Sequence, residues 1–292
     1  MTLWRFDAIG TRWEIESERD LTGHERARVS GVIDRFDREW SRFRADSVVS
    51  SLADGGSSVL PADAAVMLDA YRELSDATAG AVNPLVGASL TALGYDAALS
   101  LAAADAEPAP EDWTSILGWR DQLTLAAPAI IDVGALGKGR LVDLVQQELH
   151  TVTGGLVVDA SGDLAVRGRR IRIGLEHPFD PARAIGVATI RDQALCASAV
   201  NRRAWGAGLH HVLDARTGMP VRTWAATWAI ASDAMRADAA ATALFFDGGV
   251  QLAADWAVEW VRMSTDGRVQ RSPNCPVELF TTASGPLADA AE

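Results

Sequence analysis

The chain has 292 residues, 48% of them hydrophobic and 23% charged, enough to build a substantial core and too apolar for a disordered or fibrous protein. Its formal net charge of −12 opposes a phosphate-backbone partner, so nucleic acid is excluded as a ligand class. No apolar run approaches the ~18 residues that a bilayer crossing needs, and residues 1–12 lack the apolar centre of a signal peptide, so no membrane partner and a cytoplasmic location are expected.

In chain order, residues 4–16 alternate partially between apolar and polar side chains, with Gly10-Thr11 interrupting, which predicts a strand with a local bend. Over 24–43, Val29, Val32, Ile33, Phe36 and Trp40 recur at three and four residues, the spacing of an amphipathic helix. A second helix is expected over 62–79, from Pro61 to Gly80, with Val66, Leu68, Tyr71 and Leu74 facing inward. Residues 102–112, rich in Ala, Pro and acids, predict a surface loop that is inserted or mobile. Ile130-Ile131 then leads through the Gly-rich 132–139 into a helix carrying Leu141, Val142, Leu144, Val145 and Leu149.

Between 155 and 190 short β-rich runs alternate with Gly, Asp and Pro turns, the pattern of antiparallel strands. Residues 232–246 predict a helix with Ser232 as N-cap and Asp233 in the first turn. Residues 281–292 are small and polar and read as a disordered tail. No fixed period recurs, which excludes a solenoid. Cys196 and Cys275 lack metal-ligand spacing and are read as free thiols.

Three features carry chemistry. The Asp132-x-Gly-x-x-Gly-Lys-Gly loop resembles a phosphate cradle, yet it lacks the Gly four residues before Gly-Lys and the Ser or Thr after Lys that a Walker loop requires. A tight strand-to-helix turn explains the same glycines equally well. Asp238 and Thr242 stand one helical turn apart, so a carboxylate and a hydroxyl share one face, which suits hard-cation chemistry or simply a solvated edge. The segment from His210 and His211 to Pro220 combines imidazoles with an acidic turn, whose plainer reading is a strand end with one satisfied histidine. Lys138 is the only lysine among 27 basic residues, either a chance survivor or a site wanting a compact ammonium. There is no HExxH, CxxC, GxSxG or opening GxGxxG, and the ten tryptophans are scattered as packing residues are.

Taken in order, these segments resemble the FAD:protein FMN transferase family, also called ApbE, over nearly the whole chain. Ile9-Gly10-Thr11 is similar to that family's Met-Gly-Thr entry. Ser41 to Ser47 is similar to Ser-x-Tyr-x-x-x-Ser, Gly80 to Pro84 to Gly-Ala-Phe-Asp-Pro, and Leu93-Gly94-Tyr95 to Trp-Gly-Phe. Asp132 to Gly139 then matches Asp-x-Gly-x-x-x-Lys-Gly, with Asp143 at the following acid. Ser161-Gly162-Asp163 resembles Gly-Gly-Asp, His211 to Pro220 resembles His-x-x-Asp-Pro-x-Thr-Gly-x-Pro, and Asp238 to Thr242 matches Asp-x-x-x-Thr. Departures stand at Ile9, Phe43, Val82, Asn83, Ser161, Ala215 and in Ala197-Ser198-Ala199, where the family has Met, Tyr, Phe, Asp, Gly, Pro and Thr-Ser-Gly.

The resemblance implies an α+β fold over residues 1–280, an antiparallel sheet core flanked by helices, with FAD between two closely packed lobes. It implies Mg2+-dependent transfer of FMN from FAD to a Ser or Thr hydroxyl of an acceptor protein, with AMP released. Magnesium would be held by Asp238, Thr242 and the carbonyl of Ala135. FAD would lie near Ile9, Phe43, Ala81, Val82, Asn83, Asp132, Lys138 and Val212, with Lys138 a charge near the phosphates and His211 assisting the incoming hydroxyl. Two alternatives stay open: a pyrophosphatase that yields FMN and AMP, and a non-catalytic FAD-binding protein.

Overall fold

The computed structural model describes residues 1–206 and 208–280, so the tail expected at 281–292 lies outside the described residues. An eight-stranded sheet runs Thr2–Ala8, Thr11–Ser17, Leu156–Asp159, Asp163–Arg167, Ala194–Ala199, Trp224–Ala231, Glu259–Ser264 and Val269–Arg271. Spatial order equals chain order, and every neighbouring pair is antiparallel. The sheet is therefore a meander with long excursions between some strands. The expected antiparallel core flanked by helices is what the chain forms.

Both faces of the central strands are covered, which is why they read as continuous apolar runs. Val158, Ala165, Cys196 and Ala229 face the large core beneath the helices Gly23–Trp40, Ala64–Ala77, Gly137–Glu148 and Ala234–Ala243. Their neighbours Val157, Val166, Leu195 and Ile230 point to the opposite face. There the hairpin of Arg170–His177 and Asp180–Arg191 covers them with Leu175, Ile185, Ala188 and Ile190.

Three expectations need correction. Residues 4–16 form a two-strand hairpin rather than one bent strand, because Ile9 (φ 46°) and Gly10 (φ 71°) both take left-handed backbone and reverse the chain in two residues. A β-branched residue there is strained by about 1–2 kcal/mol. The first long helix stops at Trp40, where Ser41 turns extended, and this releases Arg42 and Phe43 toward the site. The Ala234–Ala243 helix is capped by Asp233, whose carboxylate accepts from Arg236 N at 2.9 Å, while Ser232 Oγ donates to Asp233. Residues 102–112 form the expected surface loop, mostly exposed and without helix or strand, and it is anchored at several points. Ala104 N donates to Ala92 O at 2.7 Å, Ala109 N to Ala215 O at 2.8 Å, and Asn83 Nδ2 to Pro110 O at 2.8 Å.

Candidate active site

The strand-to-helix loop at 132–137 is held from several sides. Asp132 Oδ1 accepts from Gly134 N at 2.7 Å, closing a local turn, and Oδ2 accepts from Arg42 Nε at 2.6 Å. Arg42, its side chain only 4% exposed, also donates to Tyr95 O at 2.7 Å. Tyr71 Oη donates to Asp132 O at 3.1 Å and accepts from Ala135 N at 3.2 Å, so one buried phenol fixes two points of the loop. Burial first, and the Asp132 charge second, hold that phenol's pKa well above its ordinary value, which keeps it a donor.

Two antiparallel helices, Gly137–Glu148 and Ala234–Ala243, meet at unusually close range. A methyl group on Gly139 would stand 2.2 Å from Ala234 O and 2.7 Å from Asp238 Cβ, so only glycine permits the approach. Thr242 Oγ1 donates to Ala135 O at 3.2 Å, Gly139 N to Asp238 Oδ2 at 2.9 Å, and Ala234 N and Met235 N to the two oxygens of Asp143 at 2.7 and 2.9 Å. Burial lifts the Asp143 carboxyl to about 6 against those two backbone donors. Thr242 thus faces the Ala135 carbonyl and the buried Asp238 faces the Gly139 N–H, so the solvated-edge alternative does not describe them.

The electrostatics around this helix pair are unusual. Lys138 Nζ lies 3.0 Å from Asp163 Oδ2. Asp163 is 1% exposed, so Lys138 is the charge partner of an almost wholly buried carboxylate. Asp238 is buried beside them; burial and then the Asp163 charge drive its pKa well up, opposed by Lys138. Two buried carboxylates therefore share one ammonium. No group of three or more His, Cys, Asp or Glu among the described residues is arranged to hold a metal. The oxygens of Ala135, Asp238 and Thr242 offer instead a mixed carbonyl, carboxylate and hydroxyl set, the donor chemistry that magnesium takes, and the surplus of buried carboxylate over ammonium fits a cation there.

His211 follows the short hairpin in which Ala204 pairs with His210, so the register sets Arg203 across from it. Its Nδ1 is sealed from solvent without a hydrogen-bond partner among the described residues. Burial, then the charges of Arg203, His210 and Lys138, lower its pKa to about 3, so the imidazole is neutral near pH 7.

A profile of the ApbE family matches residues 9–262. The chain belongs to the ApbE family. It is 26% identical to the FAD:protein FMN transferase of Rhodobacter capsulatus over 308 residues, which cover 96% of this chain and 58% of that relative, so it spans little more than half of the relative's length. Among solved structures it is similar to the ApbE protein of Thermotoga maritima, with a TM-score of 0.80 and 21% identity over 93% of this chain and 97% of that one. The flavin transferase ApbE of Vibrio cholerae is similar at a TM-score of 0.75 and 18% identity, over the same shares of the two chains. At these identities the solved structures speak for the fold.

Within the ApbE fold, the expected flavin-side residues separate into groups. Phe43, 39% exposed, meets Tyr95 edge-on at 5.4 Å, and Tyr95 stacks on Trp205 at 5.4 Å and 18°. The Arg42 guanidinium lies 4.2 Å from the Phe43 ring centre. Ala81, Val82 and Asn83 are buried next to Asp132, whose N–H donates to Pro84 O at 2.8 Å. Asn83, however, spends its side chain on Pro110 O and Leu85 N, a turn-building task rather than a free ligand contact. Val212 is buried beside His210, whose Nδ1 accepts its N–H. Ile9 lines a separate cleft with Phe6, Ser30, Ile33, Asp34 and Asp37. Arg42, Tyr71, Tyr95, Trp205 and Arg203 are the site residues that sequence reasoning missed. Tyr71 was read as a core residue, and the signal for Arg42 was its place beside Phe43 in a matched segment.

Proposed function

We propose that this ApbE protein transfers FMN from FAD to a Ser or Thr hydroxyl of an acceptor protein, working as one unit over residues 1–280. The observation that carries this reading is the convergence of Ala135 O and Thr242 Oγ1, 3.2 Å apart, with Asp238 one turn away and Lys138 beside it. The name of the Rhodobacter capsulatus relative supports it.

In the transfer, the acceptor oxygen forms a bond to the FMN phosphorus while the pyrophosphate bond to AMP breaks. AMP leaves with the bridging oxygen, and the hydroxyl proton passes to a base. Phosphoryl-type chemistry asks the protein mainly for positioning and charge neutralisation. Ala135 O, Asp238 and Thr242 Oγ1 would hold Mg2+ once the threonine proton turns away from the carbonyl. The ion would neutralise pyrophosphate charge and stabilise the departing AMP. Lys138, steadied by Asp163, presents its ammonium to the phosphates as a point charge. His211, neutral near pH 7, is the base assigned to the incoming hydroxyl, and it becomes more basic as the anionic phosphates arrive. The Phe43, Tyr95 and Trp205 rings offer the flavin a stacking wall, retuned by the Phe43 and Val82 replacements.

The test is mass spectrometry of products after mixing the protein, FAD, Mg2+ and an acceptor bearing a flavinylation site. An acceptor heavier by FMN, together with AMP, is expected, and Asp238→Ala abolishes both while the protein stays folded. FMN and AMP without acceptor labelling would make the protein a pyrophosphatase. FAD retained intact would make it a binding protein.

A further inference from the structure

The contacts between the Gly137–Glu148 and Ala234–Ala243 helices form a ladder with a regular period. Ala135 meets Thr242, Gly139 meets Asp238, and Asp143 meets Ala234, so each step of four residues forward along one segment answers four residues back along the other. Four residues is about one helical turn, so the three contacts are rungs stacked along one seam. The first two rungs contain the oxygens assigned above to magnesium. The third, Asp143, touches none of them.

Asp143 is not needed simply to cap the Ala234–Ala243 helix. That helix already has its own cap, Asp233, accepting from Arg236 N at 2.9 Å. Asp143 comes from a different helix and accepts from the two preceding free N–H groups, Ala234 N at 2.7 Å and Met235 N at 2.9 Å. Both its oxygens are engaged across the seam. A cap supplied by the same chain turn stabilises a helix end wherever that helix lies, whereas one supplied by a neighbouring helix fixes the two relative to each other. Because a helix advances about 1.5 Å per residue, a slip of a single residue along the seam would carry Asp238 and Thr242 away from Ala135 O by about that distance.

We propose that Asp143 is a positioning residue: by clamping the first turn of the Ala234–Ala243 helix to the Gly137–Glu148 helix, it sets the spacing of Ala135 O, Asp238 and Thr242, and so the affinity of this set for Mg2+. The inference rests on the magnesium reading of that set. It assigns Asp143 no contact with FAD, with the ion or with the acceptor.

Four proteins decide it: wild type, Asp143→Asn, Asp143→Ala and Asp233→Ala, each titrated with Mg2+ by isothermal calorimetry without FAD and melted by scanning fluorimetry. Asp143→Asn keeps the shape and one acceptor and is the variant that folds if the alanine does not. Loss of an outer-shell support weakens metal binding by about 10–100-fold, and that loss is expected for both Asp143 variants. Asp233→Ala is expected to lower the melting temperature while leaving the Mg2+ dissociation constant within about twofold of wild type, since the cross-helix clamp remains. An unchanged Mg2+ affinity in folded Asp143 variants overturns the proposal, as does an equal loss in Asp233→Ala, which would mean that any fraying of the helix end suffices. Wild type that binds no Mg2+ at all overturns the magnesium reading first, and the positioning role with it.

Discussion

Replacing Gly139 with Ala adds one methyl group at the middle rung of the helix seam, where it would stand 2.2 Å from Ala234 O, 2.7 Å from Ala234 C and 2.7 Å from Asp238 Cβ. Non-bonded carbons are comfortable at about 3.5–4.0 Å, so the helices must part by roughly 1 Å. Two of the three neighbours are backbone, and no rotamer change can relieve them. The seam bonds now span 2.7 to 3.2 Å, and an added 1 Å takes each of them to or beyond the ~3.6 Å at which a hydrogen bond is lost. Overpacking costs about 1–3 kcal/mol and each weakened bond about 0.5–1.5 kcal/mol, offset by about 1 kcal/mol from alanine's better helix propensity. A net loss of roughly 2–8 kcal/mol follows, which lowers the melting temperature by about 4–32 °C at ~2–4 °C per kcal/mol. Because Asp238 and Thr242 move with the seam, turnover of FAD to AMP should fall by about 100-fold, the usual effect of a 1 Å misplacement. Fluorimetry and chromatographic AMP release measure the two effects. A variant melting within about 1 °C of wild type with unchanged AMP release would refute the close-approach argument.

Three further predictions test the metal set and two ion pairs. Asp238→Ala should release no AMP above background in Mg2+-containing buffer, while a melting curve shows a cooperative transition. Arg42→Leu strands the Asp132 carboxylate, and breaking a buried pair costs about 3–5 kcal/mol; adding Asp132→Asn should recover part of the lost melting temperature, and a fully additive double variant would contradict the pairing. Glu25 is held down to about 2, from an ordinary 4.5, first by the Arg19 hydrogen bonds and then by the Thr22 N–H of the capping box. Its stabilisation is therefore fully present above about pH 4.5 and lost as pH falls toward about 2, so the melting gap between wild type and Glu25→Gln should be open at pH 7 and close across that window.

The elements that carry a local period were legible in advance. Val29 to Trp40 announced a helix because one face had to be apolar, and the strands near 156 and 187 announced themselves by β-branched runs between turns. What was not legible depends on partners distant in the chain. The Ile9-Gly10 reversal is invisible to residue preference, since isoleucine disfavours left-handed backbone and only the antiparallel pairing of the two flanking strands imposes it. Ser232 and Asp233 are both good caps, and only the backbone geometry decides for Asp233. In the site, Asp132, Lys138, Asp238 and Thr242 were found by their ordered motifs. Their supports escaped: Asp163 as the partner of Lys138, Arg42 as the partner of Asp132, and Tyr71 beneath the loop each act across 25 or more residues of sequence.

The unequal count of buried charges has a further consequence. Asp163 and Asp238 are buried around Lys138, and burial first and the Asp163 charge second lift the Asp238 pKa, opposed by Lys138 and Arg203. A protein that buries an uncompensated carboxylate is less stable than its packing allows, and a cation bound there removes the deficit. Mg2+ binds the folded site and has no comparable site in the unfolded chain, so it should stabilise by RT ln(1 + [Mg2+]/Kd), about 2.7 kcal/mol at 100 times the dissociation constant. For a chain of this size that is an upward shift of roughly 5–11 °C, at ~2–4 °C per kcal/mol. Asp238→Asn keeps the shape but removes the excess charge, so its melting temperature in metal-free buffer should equal or exceed that of wild type, with the Mg2+-induced rise gone. A wild-type melting curve indifferent to Mg2+, or an Asp238→Asn variant that is destabilised without metal and still rescued by it, would show that the buried carboxylates are balanced by the protein itself and that the cation has no place among them.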